Sequence, residues 1–146
     1  MPKRIILVGA GDLAKEVAGW MLSSDSTPLG ELEYCFIDDN VSHLTVGPNS
    51  LKYLGTVEDF FPASGDELIA AVASPKVRST IVNRLTSRGS TFISYIHPSV
   101  SVSVGVRLGM GVIMLPYSLA SADSVIGDFS IVNFLKSLLQ FLSMSC

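Results

Sequence analysis

From Val102 the chain keeps a period of six residues. Val102, Leu108, Met114, Ala120, Ile126 and Val132 are all apolar and six apart. Four residues after each of the first five come Val106, Val112, Ser118, Ser124 and Ser130, all small or β-branched. Few folds tolerate this pattern. Short flat strands that form the three sides of a triangular coil need one large apolar residue inside each side and a small one near each corner, so a full coil takes about 18 residues. The spacing therefore predicts the start of a left-handed parallel β-helix over 97–134, with "IGDFSI" (126–131) as the cleanest repeat. Pro116, Tyr117 and Asp123 fall between the two repeat series, where loops and outward residues are allowed. The rhythm fails after Asn133, and 135–146 reads as a tail outside the repeat, with a short helix as one reading.

The first 96 residues follow a different rule. "RIILVGAGDLAKEVAGWML" reads as a buried strand (Ile5 to Val8), a glycine turn and a helix whose apolar positions are Leu13, Val17, Trp20 and Met21. Gly9-Ala10-Gly11-Asp12-Leu13-Ala14 fits G-x-G-x-x-[GA]. Glycines there permit a tight turn and close approach of backbone to a phosphate, which the free N–H groups of the helix start can bind. "YCFIDDN" is a second strand ending in Asp38 and Asp39, placed to accept hydrogen bonds from ribose hydroxyls or a base edge. Leu68 to Ala73 is a third strand. Ser74 follows it, either facing the ligand crevice or capping the next helix, which starts near Pro75 and stops at Gly89. Arg78, one turn into that helix, reads as a solvated surface charge. "TFISYI" (91–96) is a further strand of the same sheet. Strands alternating with helices over short connections imply a parallel, right-handed α/β sheet, here a small Rossmann-like domain over 1–96.

Composition narrows the function. Of 146 residues 48% are hydrophobic and only 16% charged, so some apolar surface is expected to be covered by a partner. The net charge of −3 excludes the basic stripe of a nucleic-acid-binding protein. No apolar run reaches the roughly 18–20 residues of a membrane span, and the short N-terminal run lacks the layout of a signal peptide. Cys35 and Cys146 have neither metal-ligand spacing nor a disulfide framework. The expected setting is cytoplasmic, with no metal. His43 lies in a polar loop and His97-Pro98 at the domain junction, neither with a second metal ligand at suitable spacing. Ser99 and Ser101 lie near His97 in a run of alternating β residues, so no catalytic triad is read there.

Both halves together resemble the sialic-acid O-acetyltransferases and UDP-amino-sugar N-acetyltransferases (the NeuD/PglD type of sugar acyltransferase). The matching stretches are "IILVGAGDLAKEV", "FIDDN", "AVASPKVR", "FISYIHPSV", "GVIMLPYSLASADSVIG" and "IGDFSIVNF", which span residues 4 to 134. The resemblance implies a nucleotide sugar, UDP-linked or sialic-type, held by Gly9, Ala10, Gly11, Asp12, Leu13, Asp38, Asp39 and Ser74. It implies acetyl-CoA as co-substrate along the groove between β-helices of a homotrimer. It further implies a β-helix histidine acting as general base on the sugar amine or hydroxyl, which attacks the thioester directly. Continuing the repeat without gaps puts Gln140 near that histidine's place, and glutamine takes up no proton at neutral pH. The expectation is a family member without its catalytic base and later acetyl-CoA-binding coils, and so inactive, poorly trimeric and poorly soluble. Two alternatives stand beside it: a non-catalytic nucleotide-sugar-binding module, and, from the glycine loop alone, an NAD-dependent enzyme.

Overall fold

The computed structural model describes residues 2–24, 28 and 30–133. The expectations for Gln140 and for 135–146 lie outside them. The chain divides into two compact units, Met1–Ile93 and Ser94–Cys146.

In the first unit, β1 (Lys3–Val8) has Ile5 to Val8 buried in one continuous run. That is the pattern of a parallel strand covered on both faces. Five parallel strands form the sheet in the order β5-β2-β1-β6-β7. The others are β2 (Leu32–Ile37), β5 (Lys52–Tyr53), β6 (Glu67–Ala70) and β7 (Thr91–Phe92), and a small antiparallel hairpin, β3 (Thr45–Val46) with β4 (Asn49–Ser50), stands apart. Helix α1 (Asp12–Ser24) buries Ala14, Val17, Ala18 and Met21. This stripe is turned from the one expected: Leu13 and Trp20 are only half-buried, and the Trp20 indole donates to Glu16 at 2.9 Å. Small Ala14 and Ala18 let the helix approach the sheet closely, which a tryptophan on that line would prevent. Helix α2 (Pro75–Ser87) starts and stops as expected: Pro75 occupies its first turn, and Gly89, at φ 88°, follows the capping residue Arg88.

The core joins Ile6, Val8, Cys35, Ile37, Val57, Phe60, Leu68 and Leu85. Burial pushes the Cys35 thiol up to about 11, leaving it inert as a nucleophile. At the start of the sheet Arg4 grips Asp66 with two bonds, Nε to Oδ1 at 2.8 Å and Nη2 to Oδ2 at 2.6 Å. Burial alone would raise the Asp66 carboxyl. The bonds from Arg4 and from the Ala63 N–H outweigh it and hold the carboxyl below its ordinary value.

Two expected strands differ. β6 ends at Ala70 rather than Ala73, because Ala71 N–H turns back to Ile69 O at 3.0 Å and leaves the ladder. "TFISYI" is two strands: Thr91–Phe92 pairs with β6, whereas β8 (Tyr95–Ile96) belongs to the second unit.

That unit is built from two-residue strands: β8, β9 (Ser101–Val102), β10 (Arg107–Leu108), β11 (Ile113–Met114), β12 (Leu119–Ala120), β13 (Val125–Ile126) and β14 (Ile131–Val132). Every pairing is parallel and spans 18 residues: Tyr95 with Ile113, Ile113 with Ile131, Ser101 with Leu119, and Arg107 with Val125. Three narrow sheets result, β14-β11-β8, β12-β9 and β10-β13, so three six-residue sides make one coil. Gly105, Gly111, Tyr117, Asp123 and Phe129, also six apart, take φ between 58° and 76° and turn the corners. Val112, Met114 and Ala120 are buried inside, with Val100, Val106, Ile126 and Val132 packed on them. Val102 and Leu108, expected inside, are 48% and 37% exposed. Among the described residues their strands each have a neighbour on one side only, as does β12, which still buries Ala120, whereas β11, flanked on both, buries Met114 completely.

Candidate functional site

The first unit carries a cleft of about 270 Å³ at the carboxyl ends of β1, β2 and β6. Open α/β sheets bind ligands at this edge, where the chain order reverses on either side of the first strand. Its walls come from the Gly9–Leu13 turn, Asp38 to Asn40, Val57, Ala71 to Ala73, and Val77 with Ile81 of α2.

The glycine turn is set by backbone geometry. Gly9 has φ 114°, and its N–H donates to Ile37 O at 2.9 Å. A Cβ on Gly9 would stand 2.6 Å from Ala71 O, so only glycine lets the turn lie against the end of β6. Gly11 faces the opposite situation, with no atom within 4 Å of where its Cβ would be. Helix α1 begins at Asp12, so the N–H groups of its first turn have no helical carbonyl to bond and stand at the cleft.

Asp38 is half-buried and organises the other wall. Its Oδ2 accepts from Ala10 N–H at 2.9 Å, and its Oδ1 accepts from the N–H groups of Asn40 and Val41, both at 2.8 Å. The carboxylate thus ties the glycine turn to the loop after β2 and keeps about one of its four lone-pair sites for a ligand. Asp39 accepts from Val57 N–H at 2.8 Å and Glu58 N–H at 3.4 Å, anchoring the apolar wall at Val57.

Of the residues expected at the site, Gly9, Ala10, Gly11, Asp12, Leu13, Asp38 and Asp39 come together around the cleft. Ser74 does not line it. Its Oγ accepts from Val77 N–H at 3.4 Å and caps α2, the second of the two roles its position allowed. Asn40, Val57, Val77 and Ile81 were not anticipated; the i, i+4 spacing of Val77 and Ile81 was the available signal. Arg78 is not a solvated charge either. It is half-buried, and its Nη1 donates to Val72 O at 2.7 Å and Ala73 O at 3.2 Å.

Among the described residues the lining presents three carboxylates, from Asp12, Asp38 and Asp39, and no cationic side chain. Such a surface accepts hydrogen bonds from hydroxyls and ring N–H groups, offers main-chain donors at the helix start, and seats a flat apolar face against Val57, Val77 and Ile81. Among the described residues no group of three potential metal ligands comes together, and no helix is long and apolar enough to cross a membrane. In the second unit His97 Nδ1 accepts from Ser99 N–H at 3.0 Å and lies 2.8 Å from Ser99 Oγ. Ser99 Oγ in turn accepts from Tyr117 N–H at 2.9 Å, linking successive coils.

No protein-family model and no curated protein matches the chain. Solved structures do. The acetyltransferase domain of PglB from Neisseria gonorrhoeae, in complex with acetyl coenzyme A, is 25% identical with a TM-score of 0.73, over 91% of this chain and 62% of that one. A variant of perosamine N-acetyltransferase from Caulobacter crescentus, in complex with CoA and GDP-perosamine, is 25% identical with a TM-score of 0.68, over 88% of this chain and 59% of that one. WeeI from Acinetobacter baumannii, 22% identical with a TM-score of 0.64 over 87% of this chain and 68% of that one, shares the fold. The chain thus spans about three fifths of the length of the first two, and its mixed α/β fold with a parallel sheet is that of sugar acetyltransferases.

Proposed function

We propose that this chain is part of a sugar acetyltransferase of the NeuD/PglD type. Its first unit is a Rossmann-like domain that binds a nucleotide sugar. Its second is the beginning of a left-handed parallel β-helix of hexapeptide repeats, which in the whole arrangement trimerises and holds acetyl-CoA. The observation that carries the reading is the cleft. A glycine turn at a helix N-terminus and an acidic strand end meet at the carboxyl edge of a parallel sheet, in a chain whose neighbours include one bound to CoA and GDP-perosamine. The nucleoside's hydroxyls and ring N–H groups meet the acceptors, and its flat base lies on the apolar wall.

Within the described residues the reading is one of acceptor binding rather than catalysis. The His97 Nδ1 lone pair is already engaged by Ser99 N–H, and the hydrogen bonds around His97 serve the joint between coils. Acetyl transfer is therefore assigned to the complete β-helix arrangement, and recognition of the nucleotide sugar to this chain.

Calorimetric titration with UDP-, GDP- and CMP-linked sugars tests it. Saturable binding of one of them is expected. It should weaken about tenfold or more in Asp38→Asn, which replaces an acceptor of three N–H groups by an amide. The absence of heat with all three ligands refutes the reading. Acetyl transfer from acetyl-CoA to an amino sugar, catalysed by this chain with a turnover insensitive to the cleft, refutes the division of labour.

A further inference from the structure

Arg78 has no carboxylate partner among the described residues, yet it is half-buried. Burial lowers the guanidinium's pKa from its ordinary value. It also sits in the first turn of a helix, the end at which the macrodipole disfavours a cation. An arginine with no task there would extend into water, as long basic side chains do at little cost. Instead Nη1 folds back onto Val72 O and Ala73 O. Those two residues belong to the stretch that has left the ladder of β6, and among the described residues no strand pairing includes them. They also line the cleft, and on the other side of the same stretch Ala71 O abuts Gly9.

Resting on the nucleotide-sugar reading above, we propose that Arg78 is a positioning residue of the cleft, clamping the Ala71–Ala73 wall against the glycine turn through the carbonyls of Val72 and Ala73. It acts through the wall, since Arg78 itself is not among the residues lining the cleft. Two carbonyls fixed on a cation cannot swing toward a bound anionic ligand, whose phosphates they would repel. The charge of Arg78 thereby serves an acidic cleft without touching the ligand.

The test compares the parent chain with Arg78→Met and Arg78→Lys, using UDP and GDP as probes in calorimetry and hydrogen exchange of the 71–78 amides without ligand. Arg78→Met is expected to lose about tenfold in affinity for whichever nucleotide binds, and to exchange faster at 71–74. Arg78→Lys, which keeps a cationic donor, should recover most of both. Affinity of Arg78→Met within about twofold of the parent, or unchanged exchange at 71–74, overturns the proposal. If the parent binds neither nucleotide, the functional reading fails, and exchange alone then decides the clamp. Trp20 fluorescence reports whether the variants fold; should Arg78→Met fail, Arg78→Gln carries the comparison under the same criteria.

Discussion

The two glycines of the G-x-G-x-x-A turn look equivalent, but the structure gives them opposite demands. In Gly9→Ala the new Cβ would meet Ala71 O at 2.6 Å and Ala71 C at 3.3 Å, both backbone atoms that cannot rotate away. The residue must also hold φ 114°, which an L side chain resists at a cost of about 1–3 kcal/mol. Relieving the overlap by shifting backbone in a packed region adds about 1–3 kcal/mol. The expected loss is therefore about 2–6 kcal/mol, a large share of the roughly 5–15 kcal/mol that holds a domain together. Gly11→Ala meets no atom within 4 Å and no positive φ. It should leave stability within about 1 kcal/mol of the parent, or raise it slightly by restricting the unfolded chain. Its methyl would stand in the space left for a ligand, so nucleotide affinity should fall about tenfold or more. Urea unfolding followed by the single tryptophan, Trp20 of α1, reads the first unit directly. A Gly9→Ala chain losing less than about 1 kcal/mol would refute the close approach at Ala71. Equal destabilisation by the two substitutions would refute the assignment of separate tasks.

Asp66→Asn removes the carboxylate gripped by Arg4 and should cost about 3 kcal/mol at neutral pH, since it leaves the guanidinium without its charge partner. The Asp66 carboxyl is lowered in the folded chain, so its contribution is present above the unfolded value of about 3.9 and is lost as pH falls through the folded one. Urea midpoints measured across the acid range should therefore fall less steeply in Asp66→Asn than in the parent; parallel curves would show that Asp66 is not linked to acid unfolding. In the second unit, Gly111→Ala would direct its methyl at the Phe129 ring one coil on. Tyr117, Asp123 and Phe129 hold φ near 60° with side chains, so the stacked ring rather than φ alone sets the cost, about 1–3 kcal/mol. Gly111→Ala combined with Phe129→Ala should recover part of the loss in thermal melts, and additive losses would exclude the contact.

Much of this fold is written in local pattern. The six-residue period from Val102 already contains the 18-residue register, because three equal sides close a coil whatever else the chain contains. Gly9 and Gly11 mark the turn, and Pro75 and Gly89 bound α2, because φ limits and a missing N–H act within one or two residues. Asp38 and Asp39 were legible as polar groups at a strand end, where a parallel sheet opens to ligands. Only the tertiary structure decided what depends on distant neighbours. "TFISYI" has the same β pattern throughout, and its division follows from β6 offering partners to Thr91–Phe92 and β11 to Tyr95–Ile96. Val102 and Leu108 carry the same apolar signal as Met114, but among the described residues β9 and β10 each pair on one side only and both side chains stay exposed. Arg78 reads as any helix arginine until the end of β6 peels away and presents two carbonyls to it. Periodicity sets which way a side chain points; what it meets there is settled by segments far away in the chain.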